Sequence, residues 1–364
     1  MMMLSLINGN IEPGRKPIFW IGASIVLAIA VAAPFFVGRF MLLNLSSFLL
    51  MTFLTMGLSL LWGFTGILSL GQSAFLGIGG YAYGITAINL AGTTGQTGLA
   101  FMSGIAAAVV IAAVLSWIMF YGRLKGVYVA IVTLVVALLL ETFLAQTAGP
   151  QWAIGAAHLG GNNGLGRFSG DIQELPSVTI GAVELAGTSQ GFYYATLILI
   201  VAIYIGLRML VNSPFGVALN AVREDPDRTE SLGYDVRLLQ TVVFCIGAAL
   251  AALSGILYVS GGNFITPSVF GVTANILPVI WVAVAGRKSL AASVIGAVLL
   301  QWVSQALALQ GEYALVLQGA LLVVAVLLLP EGLISVGRSL RPRLYGRGEN
   351  GRQIRSSMGG GNAA

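Results

Sequence analysis

A polytopic bundle of transmembrane α-helices is the fold class that the sequence predicts, and three observations predict it. Of 364 residues, 57% are hydrophobic and only 9% are charged, against roughly a quarter charged in an average soluble domain. No charge occurs between Arg39 and Arg123, nor between Arg237 and Arg287. The apolar runs are continuous rather than alternating. Together these exclude an ordinary cytoplasmic enzyme and a disordered chain, and the continuous runs argue against a transmembrane β-barrel.

About 20 apolar residues cross ~30 Å of hydrocarbon. Ten runs meet that need: 18–37, 41–62, 72–91, 99–121, 127–147, 191–211, 238–259, 269–286, 289–309 and 313–330. The second and third are almost continuous. The eighth is short and contains Pro278, which removes one backbone hydrogen bond and predicts a kink. The first follows Arg15 and Lys16, and Ala30-Val31-Ala32 resembles a signal-peptidase site. Its apolar length exceeds the 7–15 residues of a signal-peptide core, so it reads as a retained helix.

Basic residues orient the spans. With the N-terminus in the cytoplasm, sixteen of the eighteen Lys and Arg residues fall on the cytoplasmic side and only Arg39 and Arg167 fall outside, a strong positive-inside bias. The expected organisation is a cytoplasmic segment 1–17, a transmembrane domain 18–337, and a basic, disordered cytoplasmic tail 338–364. Within the membrane domain, 148–190 is a periplasmic loop and 212–237 a cytoplasmic one. Residues 178–185 read as a short strand or hairpin. The formal charge of +5 reflects these flanks and not a nucleic-acid partner.

The membrane core carries little chemistry. Cys245 is the only cysteine and His158 the only histidine, so no metal cluster forms and no cofactor is expected. Nucleophile–base pairs and paired acids are absent from the spans, which argues against a membrane enzyme. No G-x-x-x-x-G-K-[ST] motif occurs, so the chain is not its own nucleotide motor. Glu141 is the one ionisable acid or base clearly within a span, and secondary transporters normally hold more. Uphill transport would therefore draw its energy from another chain.

Uncharged residues are left as candidates for a polar path. Residues 63–84 carry seven glycines with Ser69, Gln72 and Ser73 among them. Glycine allows either tight helix packing or a broken helix beside a passage. Asn275 and Pro278 give the eighth run a second weak point, and Glu141 completes the candidate set. In the internal loop, Asp225 is placed to cap a helix, Pro226 suits its first position, Asp227 suits its dipole and Gly233 its end. Two short helices, about 216–224 and 226–232, follow. Such punctuation, with Arg223, Glu224, Asp225, Asp227, Arg228 and Glu230 exposed, fits docking of a cytoplasmic partner.

These residues carry a family resemblance. Ser69-Leu70-Gly71-x-x-Ala74-Phe75 followed by Gly77-Ile78-Gly79-x-Tyr81 resembles the signature of branched-chain amino-acid permeases of ABC importers, LivM type. Ala221-Val222-Arg223-Glu224-Asp225 through Leu232-Gly233 resembles the coupling segment of that family, and Gly160-Gly161-Asn162-Asn163-Gly164-Leu165 and Pro330-Glu331-Gly332-Leu333 agree in position. The resemblance covers roughly 40–336. Leu61-Trp62-Gly63-Phe64-Thr65-Gly66, Leu232-Gly233-Tyr234-Asp235-Val236 and Ile280-Trp281-Val282-Ala283-Val284 resemble the urea-transporter branch more closely. Gln72 and Ser73 stand where His and Gly are common, and Gly286-Arg287-Lys288-Ser289 departs from a usual glycine-rich run.

The resemblance implies a machine of several chains: this permease, a second homologous permease, two cytoplasmic ATPase subunits and a periplasmic substrate-binding protein, set in the inner membrane. The chain would form half of a path for urea or a branched-chain amino acid. The absence of fixed charge in the spans agrees with a neutral or zwitterionic solute. A stand-alone secondary transporter or channel is the alternative.

Overall fold

The structure is a computed structural model and describes residues 17–93, 96–166, 178–180, 183–185, 189–308, 316 and 319–320. Its helices are α1 (Pro17–Phe36), α2 (Arg39–Ser59), α3 (Gln72–Asn89), α4 (Gln96–Tyr121), α5 (Val127–Ala145), α6 (Gln190–Asn212), α7 (Pro214–Glu224), α8 (Pro226–Ser231), α9 (Val236–Gly262), α10 (Val272–Ala285) and α11 (Leu290–Ala308). Nine of the ten apolar runs coincide with helices. The tenth run lies almost wholly outside the described residues, as do 1–16 and the tail after 338.

Among the described residues, seven helices are long and apolar enough to cross a membrane. The two bundle helices that are not among them are α3 and α10. Glycines and polar ends dilute α3, and α10 has only 14 residues, about 21 Å at 1.5 Å per residue. Both begin inside the bundle, and this decides where the polar groups meet.

The core forms where small residues let backbones close up. α9 lies at its centre, packed on α2, α3 and α4. A Cβ at Gly79 would stand 2.6 Å from Ala252 Cα, and one at Gly255 would stand 1.9 Å from the Leu76 carbonyl oxygen. Neither glycine can grow without driving α3 and α9 apart. On α4, the residues Ala100, Gly104, Ala108, Ala112 and Ser116, spaced four apart, are all buried. They form one ridge of small side chains, the packing that membrane helices use in place of a hydrophobic driving force. The glycine-rich run therefore serves tight packing along α3, while the break before α3 lies at its start.

Helix α1 is the outermost element, with Ile21, Ile29 and Phe36 exposed. Three side chains of α6 hold it. Tyr193 Oη donates to the Ala30 carbonyl at 2.8 Å and Tyr194 Oη to the Val31 carbonyl at 3.0 Å. Arg208 lies under the Phe19 and Trp20 rings, 5.1 Å from each centroid, and takes Tyr204 Oη at 3.0 Å. The sequence placed Arg208 among solvated flanking charges; the structure buries it completely, because two aromatic faces and a phenol replace water around the guanidinium.

Six short strands form three antiparallel pairs among the described residues. β1 (Ala153–Ile154) pairs antiparallel with β2 (Ala157–His158), β3 (Leu165–Gly166) with β6 (Phe264–Ile265), and β4 (Val178–Ile180) with β5 (Val183–Leu185). β6 follows β5 in the chain. The last pair is the hairpin expected at 178–185. Asn89, at the end of α3, clasps the first pair: its Nδ2 donates to Ile154 O at 2.8 Å and its Oδ1 accepts from Ala156 N at 2.8 Å. The end of the bundle away from Asn89 carries α7, α8 and the turns α4–α5 and α10–α11.

Packing at Gly79 is testable. Gly79→Val should lower the melting temperature of the detergent-solubilised protein, by an overpacking cost of about 1–3 kcal/mol. Gly98→Ala, where a Cβ meets nothing within 4 Å, should leave it unchanged.

Candidate translocation site

Helix α2 does not pass directly into α3. It widens into a π-helical stretch, Leu60–Thr65, and ends at Gly66, whose φ of 76° is the left-handed conformation that glycine adopts most readily. Wide turns of this kind recur at functional positions. Residues 66–71 then run without helix to Gln72. Thr133 of α5 supports that passage: its Oγ1 accepts from Leu70 N at 3.2 Å. A Cβ at Gly71 would stand 2.1 Å from the Thr133 carbonyl oxygen.

The chain re-enters the bundle a second time after α9. β6 and the 3-10 turn Pro267–Phe270 lead inward, and Phe270 packs on Gly77 of α3. Helix α10 then starts beside the start of α3. Asn275 joins the two starts. Its Oδ1 accepts from Ser73 N at 3.1 Å, and its Nδ2 donates to Phe270 O at 2.7 Å and Gly271 O at 2.9 Å. The amide is thus used on both sides, and its orientation follows because carbonyls only accept.

Pro278 supplies the second tie. Without an N–H it cannot bond the carbonyl four residues earlier, that of Ala274. Ser73 Oγ donates to this same Ala274 oxygen at 2.6 Å. A helix defect in α10 is thereby satisfied by a hydroxyl of α3. Gln72 turns the other way: its Nε2 donates to Gly247 O of α9 at 2.7 Å, while its Oε1 is buried without a partner. Ser69, in the broken stretch, is fully buried with its Oγ also unpartnered. The Glu141 carboxylate is half-buried and lies against Gly271, the residue preceding α10; a Cβ there would stand 2.9 Å from Glu141 Oε1.

The structure therefore brings Ser69, Gln72, Ser73, Asn275 and Glu141 into one region, along the facing starts of α3 and α10. The first four N–H groups of a helix lack intrahelical partners and carry the positive end of its dipole. Ser73 N already bonds Asn275 Oδ1 and Ala74 N the Gly71 carbonyl, so the region adds the positive ends of two helices and two buried acceptors with no partner, Gln72 Oε1 and Ser69 Oγ. Thr133, which props the break, was not among the sequence candidates; its signal was a lone threonine in the apolar run 129–140. Asn89, a polar residue at the far end of α3, clasps the outer strands.

At the opposite end of the break, the internal loop has the expected form. Asp225 Oδ1 accepts from Arg228 N at 3.0 Å and starts α8, which ends before Gly233 at φ 91°. Glu224, Asp225, Asp227, Arg228 and Glu230 are exposed. Arg223 turns inward and donates from Nη1 to Gly63 O at 2.7 Å. It also donates from Nη2 to Glu224 Oε1 at 2.5 Å. That hydrogen bond and the guanidinium charge hold the exposed Glu224 carboxyl below its ordinary range. Lys125 meets Asp227 at 2.9 Å and Arg237 meets Glu230 at 3.5 Å. Both pairs are solvent-exposed, so each contributes about 0.2–1 kcal/mol.

With this geometry in place, comparison with known proteins decides the family. The family described as "Branched-chain amino acid transport system / permease component" matches residues 38–326. The chain belongs to that family. The permease is 26% identical over 341 residues to the high-affinity branched-chain amino acid transport system permease protein LivM of Escherichia coli (strain K12), a match covering 86% of this chain and 74% of the relative. Identity to the LivM protein of Salmonella typhimurium is 27% over the same shares. A probable LivM protein of Methanocaldococcus jannaschii is 33% identical over 76 residues, 20% of this chain and 22% of that one. No solved structure matches the permease. It is a multi-pass membrane transport subunit, and its family works with ATPase and binding-protein partners. The relatives found are LivM proteins, and none of them is a urea permease.

The tie between Ser73 and Pro278 can be separated from general packing. Ser73→Ala strands the Ala274 carbonyl and should cost about 1–3 kcal/mol in unfolding of the purified protein. In a Pro278→Ala background the helix supplies its own N–H, and the same Ser73→Ala change should cost less than half as much. Equal costs in both backgrounds would mean that the two residues are not coupled.

Proposed function

We propose that the chain forms half of the path by which an ABC importer moves a zwitterionic branched-chain amino acid across the inner membrane. The observation that carries this is the facing of two helix starts beside the unpartnered Gln72 Oε1 and Ser69 Oγ. A carboxylate suits the N–H-rich starts of α3 and α10. An ammonium suits Gln72 Oε1, Ser69 Oγ and the Glu141 carboxylate. Urea, with no carboxylate, would use only part of this set. The LivM relatives favour the same substrate class.

A second permease would complete the path. Ser268 and Thr273 are exposed near Glu141 on the side of the bundle, among exposed Val272 and Ile276. Polar groups facing lipid are costly, and a homologous subunit laid on this side would cover them. ATPases would dock on the 212–237 loop, where exposed Val217, Leu232 and Tyr234 stand among the charges of α7 and α8. A periplasmic binding protein would meet the opposite end, on the 148–190 segment.

Binding here should be weak, because a conduit must release what it holds. Exchanging water for these groups nets about 0.5–1.5 kcal/mol per hydrogen bond. Gln72→Leu should therefore lower uptake of leucine by the reconstituted complex roughly two- to tenfold, with yield and assembly with the ATPases unchanged. Wild-type uptake in that variant would remove Gln72 from the path. Loss of yield in its place would mean that Gln72 serves only to tie α3 to α9. Uptake of labelled urea that leucine does not compete would return the substrate assignment to urea.

A further inference from the structure

Beneath the break lies a cavity of about 230 Å³. Gly66 and Ile67 form one wall and Lys125 of the α4–α5 turn another; Arg223, Asp227 and Arg237 close the rest. We propose that this cavity is the cytoplasmic exit of the passage, that the α7–α8 loop is its gate, and that Arg223 is the latch joining the gate to the break. The inference rests on the reading of Ser69 and Gln72 as path residues.

Continuity is the first argument. Ile67 in the cavity wall is two residues from Ser69, whose buried Oγ has no partner. A solute leaving Gln72 and Ser69 along the non-helical stretch 66–71 enters this cavity next. Its lining carries both signs of charge: four cations, Arg123, Lys125, Arg223 and Arg237, and two acids, Asp227 and Glu230, with Lys125, Arg223 and Arg237 each paired to a carboxylate. A zwitterion meets partners for each end there, whereas a purely basic vestibule would hold its carboxylate.

Attachment is the second argument. The carbonyls that end a helix lack partners, and at the end of the π-helical stretch Arg223 supplies one to Gly63 O at 2.7 Å. A charged donor makes this a strong bond. The Arg223 side chain also packs over Gly66, where a Cβ would meet its Cγ at 3.1 Å. On the other side, Gly63 presses against the Arg287 carbonyl, and the Arg287 guanidinium lies 5.3 Å from the Trp62 ring centroid. The last turn before the break is thus held between the loop and the α10–α11 turn. Movement of α7 and α8 reaches Ser69 through Arg223 and the buried Leu219 and Val222 of α7, and then through five residues of main chain.

The α8 half of the loop is the lightly tied one, since α7 packs on the bundle through Leu219 and Val222. The contacts tying α8 to its neighbours across the cavity are Lys125–Asp227 and Glu230–Arg237, exposed ion pairs that contribute little to stability. Arg237 also lies over the Tyr121 ring, 5.9 Å from its centroid. A strong latch to the break combined with weak ties to the rim is the arrangement a gate requires.

The test uses the whole transporter with its ATPases in proteoliposomes. In a Cys245→Ala background, Ile67→Cys is exposed to a small polar thiol reagent from the loop side, without nucleotide, with bound ATP and with trapped ADP–vanadate. The expected result is a modification rate that changes at least tenfold between states. Equal rates in all states overturn the exit. In parallel, Arg223→Ala should leave ATP hydrolysis running while leucine imported per ATP falls at least fivefold, and Arg223→Lys, which keeps one donor for Gly63 O, should recover most of it. An unchanged ratio in Arg223→Ala overturns the latch. If Arg223→Ala yields no folded protein, the thiol rates still decide. Impaired uptake in Gln72→Leu with state-independent rates at Ile67 removes the exit alone, while wild-type uptake in Gln72→Leu removes the underlying path.

Discussion

The structure depends on one constraint: a backbone amide inside a membrane bundle has no water to turn to. Two chain segments, 66–71 and 263–271, run through or into the bundle without forming α-helix. Each leaves helix-start N–H groups and loose carbonyls that would cost several kcal/mol in hydrocarbon. They are tolerated because they meet. Asn275 accepts from the start of α3 and donates to the turn before α10, and Ser73 fills the vacancy that Pro278 opens at Ala274. Each interruption is the partner of the other. The small face of α9, which brings Gly247 within reach of Gln72, and Thr133, which props Leu70, serve the same junction.

Much of this was legible in the sequence, because its signals were local. Apolar runs gave nine helices, and the Asp225-Pro226 pair marked a helix start that a side-chain bond now makes explicit. Polar side chains in apolar surroundings pointed to Ser69, Gln72, Ser73 and Asn275, since such residues rarely lie there without a task. What could not be read was pairing across distance. That Ser73 and Pro278 are one device depends on two residues more than two hundred positions apart. Arg208 looked like a flanking charge because nothing nearby in sequence shows that Phe19 and Trp20 will cover it. Arg223 looked like its exposed neighbours for the same reason; only the fold places Gly63 O within its reach.

The distribution of strong and weak contacts follows a pattern. Where α3, α4 and α9 meet, backbones touch and Gly79, Gly104 and Gly255 have no room for a Cβ, so this part has little room to rearrange. At the loop end the ties are exposed ion pairs. A machine driven from outside needs both, since work done on a loop is lost if the element receiving it is as soft as the loop. The π-helical end of α2 sits between the two regimes: Leu60, Leu61 and Phe64 are buried in the core, while Gly63 O is held by the Arg223 side chain.

Charge economy then constrains what can pass. Among the described residues of the junction, Glu141 is the one formal charge, balanced locally by the start of α10. A net anion would find helix starts but also this carboxylate, and no cationic side chain at that depth to offset its dehydration. A net cation would find Glu141 and two neutral acceptors, but would bring its charge to the positive ends of two helices. A zwitterion loses least, because each end has a counterpart and the sum is zero. The same economy removes the usual means of coupling to an ion gradient, which needs a site that binds and releases charge as the protein turns over. On the proposed reading, a junction whose described residues hold one carboxylate selects and conducts, and the direction of transport is imposed through the loop that carries Arg223.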